Sequence, residues 1–207
     1  MGREDWYRNK EWNSDIESAF FAKLKRARDK SQYLRIQACT LADIYPEIAL
    51  RLLDEYFLLP AAHDRAQAHV DKATSYLALD NVAQAISAYE SALAREAEFP
   101  NSLTRAYIDL PYLIVSRELT AHYDRARELL SNHVQRLMFP VDHFKWNACQ
   151  ALLAKAQDQV PEATRYASAA LDAAQKTSSG FQYHPTIGLV SNEYSEVLER
   201  LRTVSHG

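Results

Sequence analysis

Glycine is scarce in this chain, with 4 in 207 residues. A phosphate-cradling loop and a Gly-x-Ser-x-Gly nucleophile turn both need closely grouped glycines, and neither pattern occurs. The 2 cysteines, Cys39 and Cys149, lie far apart in apolar stretches. That excludes a disulfide framework and offers neither a metal pair nor a redox motif, so both thiols are expected to be buried and reduced. No apolar run approaches the roughly 18 residues of a membrane span, and Met1 to Trp6 lack the apolar core of a signal peptide. Gly2 is followed by Arg3, Glu4, Asp5 and Trp6 with no hydroxyl residue at the sixth position, which does not fit myristoylation. A cytoplasmic protein with no membrane partner is the expectation. An excess of either charge is missing too: 24 Lys and Arg face 27 Asp and Glu, a net charge of −3. A nucleic-acid partner is therefore not expected, since the phosphate backbone asks for a basic domain.

Recognisable chemistry is equally sparse. The 7 histidines include no pair four residues apart and no His-Glu-x-x-His arrangement, so no metal site is expected. The acidic pairs Asp54 with Glu55 and Glu96 with Glu98 read as solvated charges on outer helix faces. The run Lys23, Lys25, Arg26, Arg28 and Lys30 reads as cations complementing the negative end of the first helix. No catalytic residue and no cofactor are nominated, and the chain is expected not to be an enzyme.

What the sequence does hold is core-forming material, at 47% hydrophobic with 11% aromatic residues, which excludes intrinsic disorder. Apolar residues recur at three- and four-residue spacing and no segment alternates, so the fold class is all-α, with nine or ten helices. Ser14 and Glu17 suggest a capping box for a first helix over 14–28. A second helix over 31–44 and a third starting at Pro46 follow. Pro60, Pro100, Pro140 and Pro161 then separate later helices, and Pro111 either kinks a helix or starts it at Leu110. Asn192 to Arg202 carry Tyr194, Val197 and Leu201 on one face, within a C-terminal capping helix placed over 191–203.

The chain also repeats itself. The stretch from Ala73 through Asp80-Asn81-Val82-Ala83-Gln84-Ala85 to Tyr89 and Ala92-Leu93 lies in register with Ala151 through Asp158-Gln159-Val160-Pro161-Glu162-Ala163 to Ala167 and Ala170-Leu171. Ala49 and Ala126 mark weaker copies, so that a small residue returns about every 40 residues. Phe99-Pro100 and Phe139-Pro140 close two units in the same way. A small residue ahead of an aromatic on one helix, a short polar turn, and then Ala-x-x-x-Tyr-x-x-Ala-Leu resembles the tetratricopeptide repeat. Residues 66–100 match best. The departures are Ala73 where the family has glycine, a displaced Pro100, Ile114 in place of the third unit's small residue, and a spacing longer than the family's about 34.

The resemblance implies a single domain over 1–207, a right-handed solenoid of antiparallel helix pairs with units at about 31–58, 66–100, 101–140 and 141–177 and extra helices at both ends. It further implies a concave groove lined by the first helix of each pair: Gln32, Arg35 and Cys39; Gln67, Val70, Asp71 and Thr74; Ile108, Tyr112 and Val115; Lys145, Ala148, Cys149 and Leu152. The expected function is protein–protein interaction, with a peptide or helix held by Gln32, Arg35, Asp71, Tyr112 and Lys145. Alternatively the protein fills its own groove with the aromatic segment Trp6 to Trp12 or with its C-terminal segment. A reading of a different class is a small-molecule sensor or enzyme accessory subunit, with an enclosed pocket at the 178–185 loop formed by Phe181, Tyr183 and His184. Dimerisation through exposed helix faces is left open.

Overall fold

A computed structural model of the chain describes residues 5–60 and 64–206. Among these the protein is all-α, with ten α-helices, short 3-10 turns and no strand. The helices are α1 Ser14–Arg26, α2 Lys30–Leu41, α3 Pro46–Phe57, α4 Arg65–Ala78, α5 Val82–Glu98, α6 Ala106–Ser116, α7 Tyr123–Asn132, α8 Pro140–Lys155, α9 Val160–Ala174 and α10 Ser195–His206. They fall into two compact units, one up to Ala106 and one from Tyr107.

In the first unit, α2 pairs with α3 and α4 with α5. The cap of α1 is Asn13 rather than Ser14: its extended backbone lets the side chain accept from the N–H groups of Asp15 and Ile16, while Glu17 turns away to Arg51 and Trp12. Phe20 and Leu24 are the buried face of α1. α2 stops at Leu41, short of Ile44, because Ala42 and Ile44 donate to carbonyls three residues back and tighten the chain into a turn. Pro46 opens α3 with its preset φ. Ahead of α1, Trp6, Tyr7 and Trp12 pack on the core around Phe20 and Tyr33. Gln37, wholly buried, fixes that segment by accepting from the Asn9 backbone N–H at 2.9 Å and donating to the Asn9 carbonyl at 2.8 Å. Glu96, placed on an outer face by its polarity, is instead buried and accepts from the backbone N–H and hydroxyl of Thr104, closing the chain just ahead of α6.

In the second unit α8 pairs with α9, and α10 packs on both through Val197, Leu201 and Val204. Pro111 lies inside α6, which begins at Ala106, so the proline does not start the helix; the bond that the Tyr107 carbonyl would accept from position 111 is absent. The C-terminal helix runs from 195 to 206, after a 3-10 turn at Asn192–Tyr194. Gly188 holds a left-handed φ of 65°, and a Cβ there would stand 2.5 Å from Cβ of Phe139.

The residues that mark the repeat are core residues. Ala49, Ala85 and Ala126 are wholly buried and Ala163 nearly so, as are Ala38, Ala73, Ile114 and Ala151 on the preceding helices. A larger side chain at such a crossing would force the paired helices apart, at about 1–3 kcal/mol. The turns repeat as well. Asp80, Glu118 and Asp158 carry left-handed φ values of 52°, 56° and 57°. Each donates its N–H three residues back, and the following residue donates five residues back: Asn81 to Tyr76, Leu119 to Ile114 and Gln159 to Ala154, at 2.8–3.0 Å. This is the Schellman ending, which satisfies the otherwise orphaned carbonyls of the last turn. Its residue is missing after α2, where the spacing from Ala38 to Ala49 is one residue shorter than in the other pairs. In the third pair it comes a turn early, and the 3-10 turn Thr120–His122 takes up the slack.

Candidate functional site

The five groove residues named from the sequence divide between the two units. In the first, α2 contributes Gln32, Arg35 and Cys39, and α4 contributes Gln67, Asp71 and Thr74. Arg35 and Asp71 are bound to each other, Nη1 to Oδ2 at 3.1 Å, with Asp64 at 3.4 Å from the Arg35 Nε. Gln67 donates to the other Asp71 oxygen at 3.1 Å. Asp71 is only 4% exposed, and burial raises its pKa although Gln67 and Arg35 pull the other way. Cys39, expected in the core, is exposed: α2 buries Leu34, Gln37, Ala38 and Leu41, and Cys39 falls beside that stripe. Partial desolvation beside α4 and the neighbouring Asp71 carboxylate, to which the thiol hydrogen-bonds, push it up to about 11 although the residue is exposed, so at neutral pH it is protonated and a poor nucleophile. Gln32 is also exposed, and Gln67 and Thr74 are half-buried. The face thus presents the amides of Gln32 and Gln67, the Thr74 hydroxyl, which donates to the Val70 carbonyl at 3.2 Å, and the Cys39 thiol beside Asp71, around Arg35 and its two carboxylate neighbours.

In the second unit the corresponding face is covered. Tyr194, from the turn before α10, meets Tyr112 edge-on at 5.6 Å and Phe144 at 5.2 Å between ring centroids. Lys145 binds Asp109 at 2.8 Å and holds its ammonium 5.1 Å from the Tyr112 ring and 5.4 Å from the Tyr194 ring, each contact a cation–π attraction. Burial raises the pKa of both tyrosines. Ile108, Val115, Ala148, Cys149 and Leu152, read as groove lining, are buried. Tyr112 and Lys145 are therefore partners of the chain's own C-terminal segment, one of the two occupants considered from the sequence.

Asp109, Phe144, Tyr194 and Asp64 were not identified from the sequence as members of these sites. A signal for one of them existed: Arg35 to Asp71 and Asp109 to Lys145 are both separated by 36 positions, so opposite charges one repeat apart join successive first helices in each unit. At the 178–185 loop, Phe181 stacks on Phe139 at 5.3 Å. Tyr183 is 83% exposed, and its neighbour His184 is exposed as well. Elsewhere in the first unit, Tyr56 is buried with no hydrogen-bond partner for its hydroxyl among the described residues, and burial with the nearby Asp64 pushes its pKa up to about 12. Among the described residues no group of three or more His, Cys, Asp or Glu side chains is placed to hold a metal ion, and no helix is long and apolar enough to cross a membrane.

Comparison with protein-family models, curated proteins and solved structures finds no match to this chain.

Proposed function

We propose that this chain is a tetratricopeptide-like solenoid that acts as a cytoplasmic protein-interaction module, holding a peptide or helix on the face of α2 and α4. The observation that carries the reading is the contrast between two equivalent faces. Where α6 and α8 meet, the chain's own Tyr194 lies on Tyr112, Phe144 and Lys145. The face of α2 and α4 keeps Gln32 and Cys39 exposed beside the Arg35–Asp71 ion pair, and among the described residues the buried Arg35 Nε makes no hydrogen bond. A paired Arg35 and Asp71 set the shape of that face, and Gln32, Cys39, Gln67 and Thr74 supply donors and acceptors for a bound backbone. The repeated turns and buried crossing alanines support the solenoid reading, because each helix pair offers its neighbour the same surface. The test is a photo-crosslinking amino acid placed at Gln32 and at Cys39, with Gln84 on exposed α5 surface as control. One polypeptide captured from both positions and not from Gln84 is the expected result. Equal capture from all three, or capture from Gln84 alone, would refute it.

A further inference from the structure

The corner between α1 and α2 holds more positive charge than folding uses. Lys25 and Arg26 end α1, where the helix dipole favours them. Arg28 and Lys30 do not share that explanation: they flank Asp29, the cap of α2, and so stand at the positive end of the next dipole, where a cation is disfavoured. The Asp29 carboxylate is occupied in the cap, accepting from the Gln32 N–H at 3.1 Å and the Ser31 hydroxyl at 2.8 Å. Among the described residues no hydrogen bond or ion pair engages Lys25, Arg26, Arg28 or Lys30, and all four are exposed. Arg28 and Lys30, with Asp29 and Ser31 between and beside them, line an open cleft of about 820 Å³ together with Tyr33, Leu59 and Pro60. Leu58, next in the chain to Leu59, is 85% exposed.

We propose that this cleft is a docking site for an acidic polypeptide segment, rich in Asp and Glu and carrying an apolar side chain that settles against Tyr33, Leu59 and Pro60. Charge complementarity selects the occupant: unpaired cations beside an apolar wall fit carboxylates spaced along a chain that also has an apolar residue. The net charge of −3 for the whole chain argues against a nucleic-acid backbone. The cleft adjoins Gln32 on α2, but the proposal rests on Arg28, Lys30 and the apolar wall and not on the reading given to the face of α2 and α4.

The experiment uses the full chain and a short fluorescein-labelled peptide of Asp and Glu with one Leu, followed by fluorescence anisotropy. Saturable binding is expected, absent for the Asn and Gln analogue of the peptide and weakened by added salt. The double variant Arg28→Gln with Lys30→Gln should bind about fivefold more weakly, the loss of two exposed charge pairs. Lys155→Gln with Lys176→Gln, which removes the same charge in the other unit, should leave affinity unchanged. Both variants change only exposed side chains, and far-ultraviolet circular dichroism verifies that each is folded. Arg28→Gln alone, with an intermediate loss expected, is the second reading. Absence of saturable binding, equal loss in both double variants, or tighter binding of single-stranded nucleic acid or anionic phospholipid vesicles would overturn the proposal.

Discussion

Replacing Asp80 or Asp158 by glycine should stabilise the protein, and the turn geometry sets the amount. Both residues hold left-handed backbone, φ 52° and 57°, which costs an L side chain about 1–2 kcal/mol and an aspartate somewhat less. Glycine removes that cost but gives back about 0.5–1 kcal/mol through its greater freedom in the unfolded chain. The balance is a gain of roughly 0.5–1 kcal/mol per turn, or about 1–4 °C in Tm for a chain of this size. Glu118, at φ 56°, should gain less, because the substitution also removes its 2.8 Å ion pair with Arg200, and Asp80 should gain less than Asp158, because glycine also gives up an interaction that Asp80 makes. Asp158→Val should lose about 1–2 kcal/mol, since a β-branched side chain fits the left-handed region poorly. Urea unfolding followed by circular dichroism reads these differences, with Ala94→Gly on the exposed face of α5 as a reference that loses about 1 kcal/mol. If the glycine variants at 80 and 158 lose as much as Ala94→Gly, the left-handed turns and the repeat built on them are wrong.

Three other outcomes follow from buried polar groups. Gln37→Leu strands the Asn9 backbone groups that Gln37 now satisfies; it should cost about 1–3 kcal/mol and red-shift tryptophan emission as Trp6 leaves the core, seen by fluorescence during urea titration. Tyr56→Phe removes a buried hydroxyl that has no partner among the described residues, so stability in the same assay should stay level or rise by up to about 1 kcal/mol. The pKa of His69 is lowered from 6.5 to about 4 by burial and by the nearby Lys72 and Arg65; the unfolded chain takes up a proton that the folded one refuses, so its contribution is full above pH 6.5 and is lost as pH falls toward 4. His69→Gln should flatten the fall of the unfolding midpoint over that range.

The helices and their pairing were legible because they depend on local patterns. Crossing alanines, Pro46, Pro140 and Pro161 at helix starts, and the register of Ala73 to Leu93 with Ala151 to Leu171 each state their role within a few residues. Asp80 and Asp158 were visible as equivalent positions, although nothing in an aspartate announces a left-handed backbone. The site was less legible, because a side chain's partner lies a repeat away. Arg35 and Asp71 were both read as groove residues, yet only the packing of α2 on α4 joins them. Tyr112 and Lys145 were both read as groove residues, but Tyr194, which covers them, reaches them across a connection whose path no local pattern determines. Cys39 and Glu96 were misplaced for one reason: apolar or polar character alone decided their burial, whereas a single turn of α2 exposes Cys39 and a hydroxyl partner, Thr104, makes room for Glu96.

The account turns on which surface takes the partner, and one affinity comparison tests it. With the polypeptide captured at Gln32, affinity is measured for the chain with both Gln32→Trp and Cys39→Trp, which fill the face of α2 and α4, and for the chain with both Phe181→Ser and Tyr183→Ser, which alter the exposed loop. The account predicts that the tryptophan variant loses most of its affinity while the loop variant binds as the native chain does. Unchanged binding by the tryptophan variant, with affinity lost in the loop variant, would contradict it.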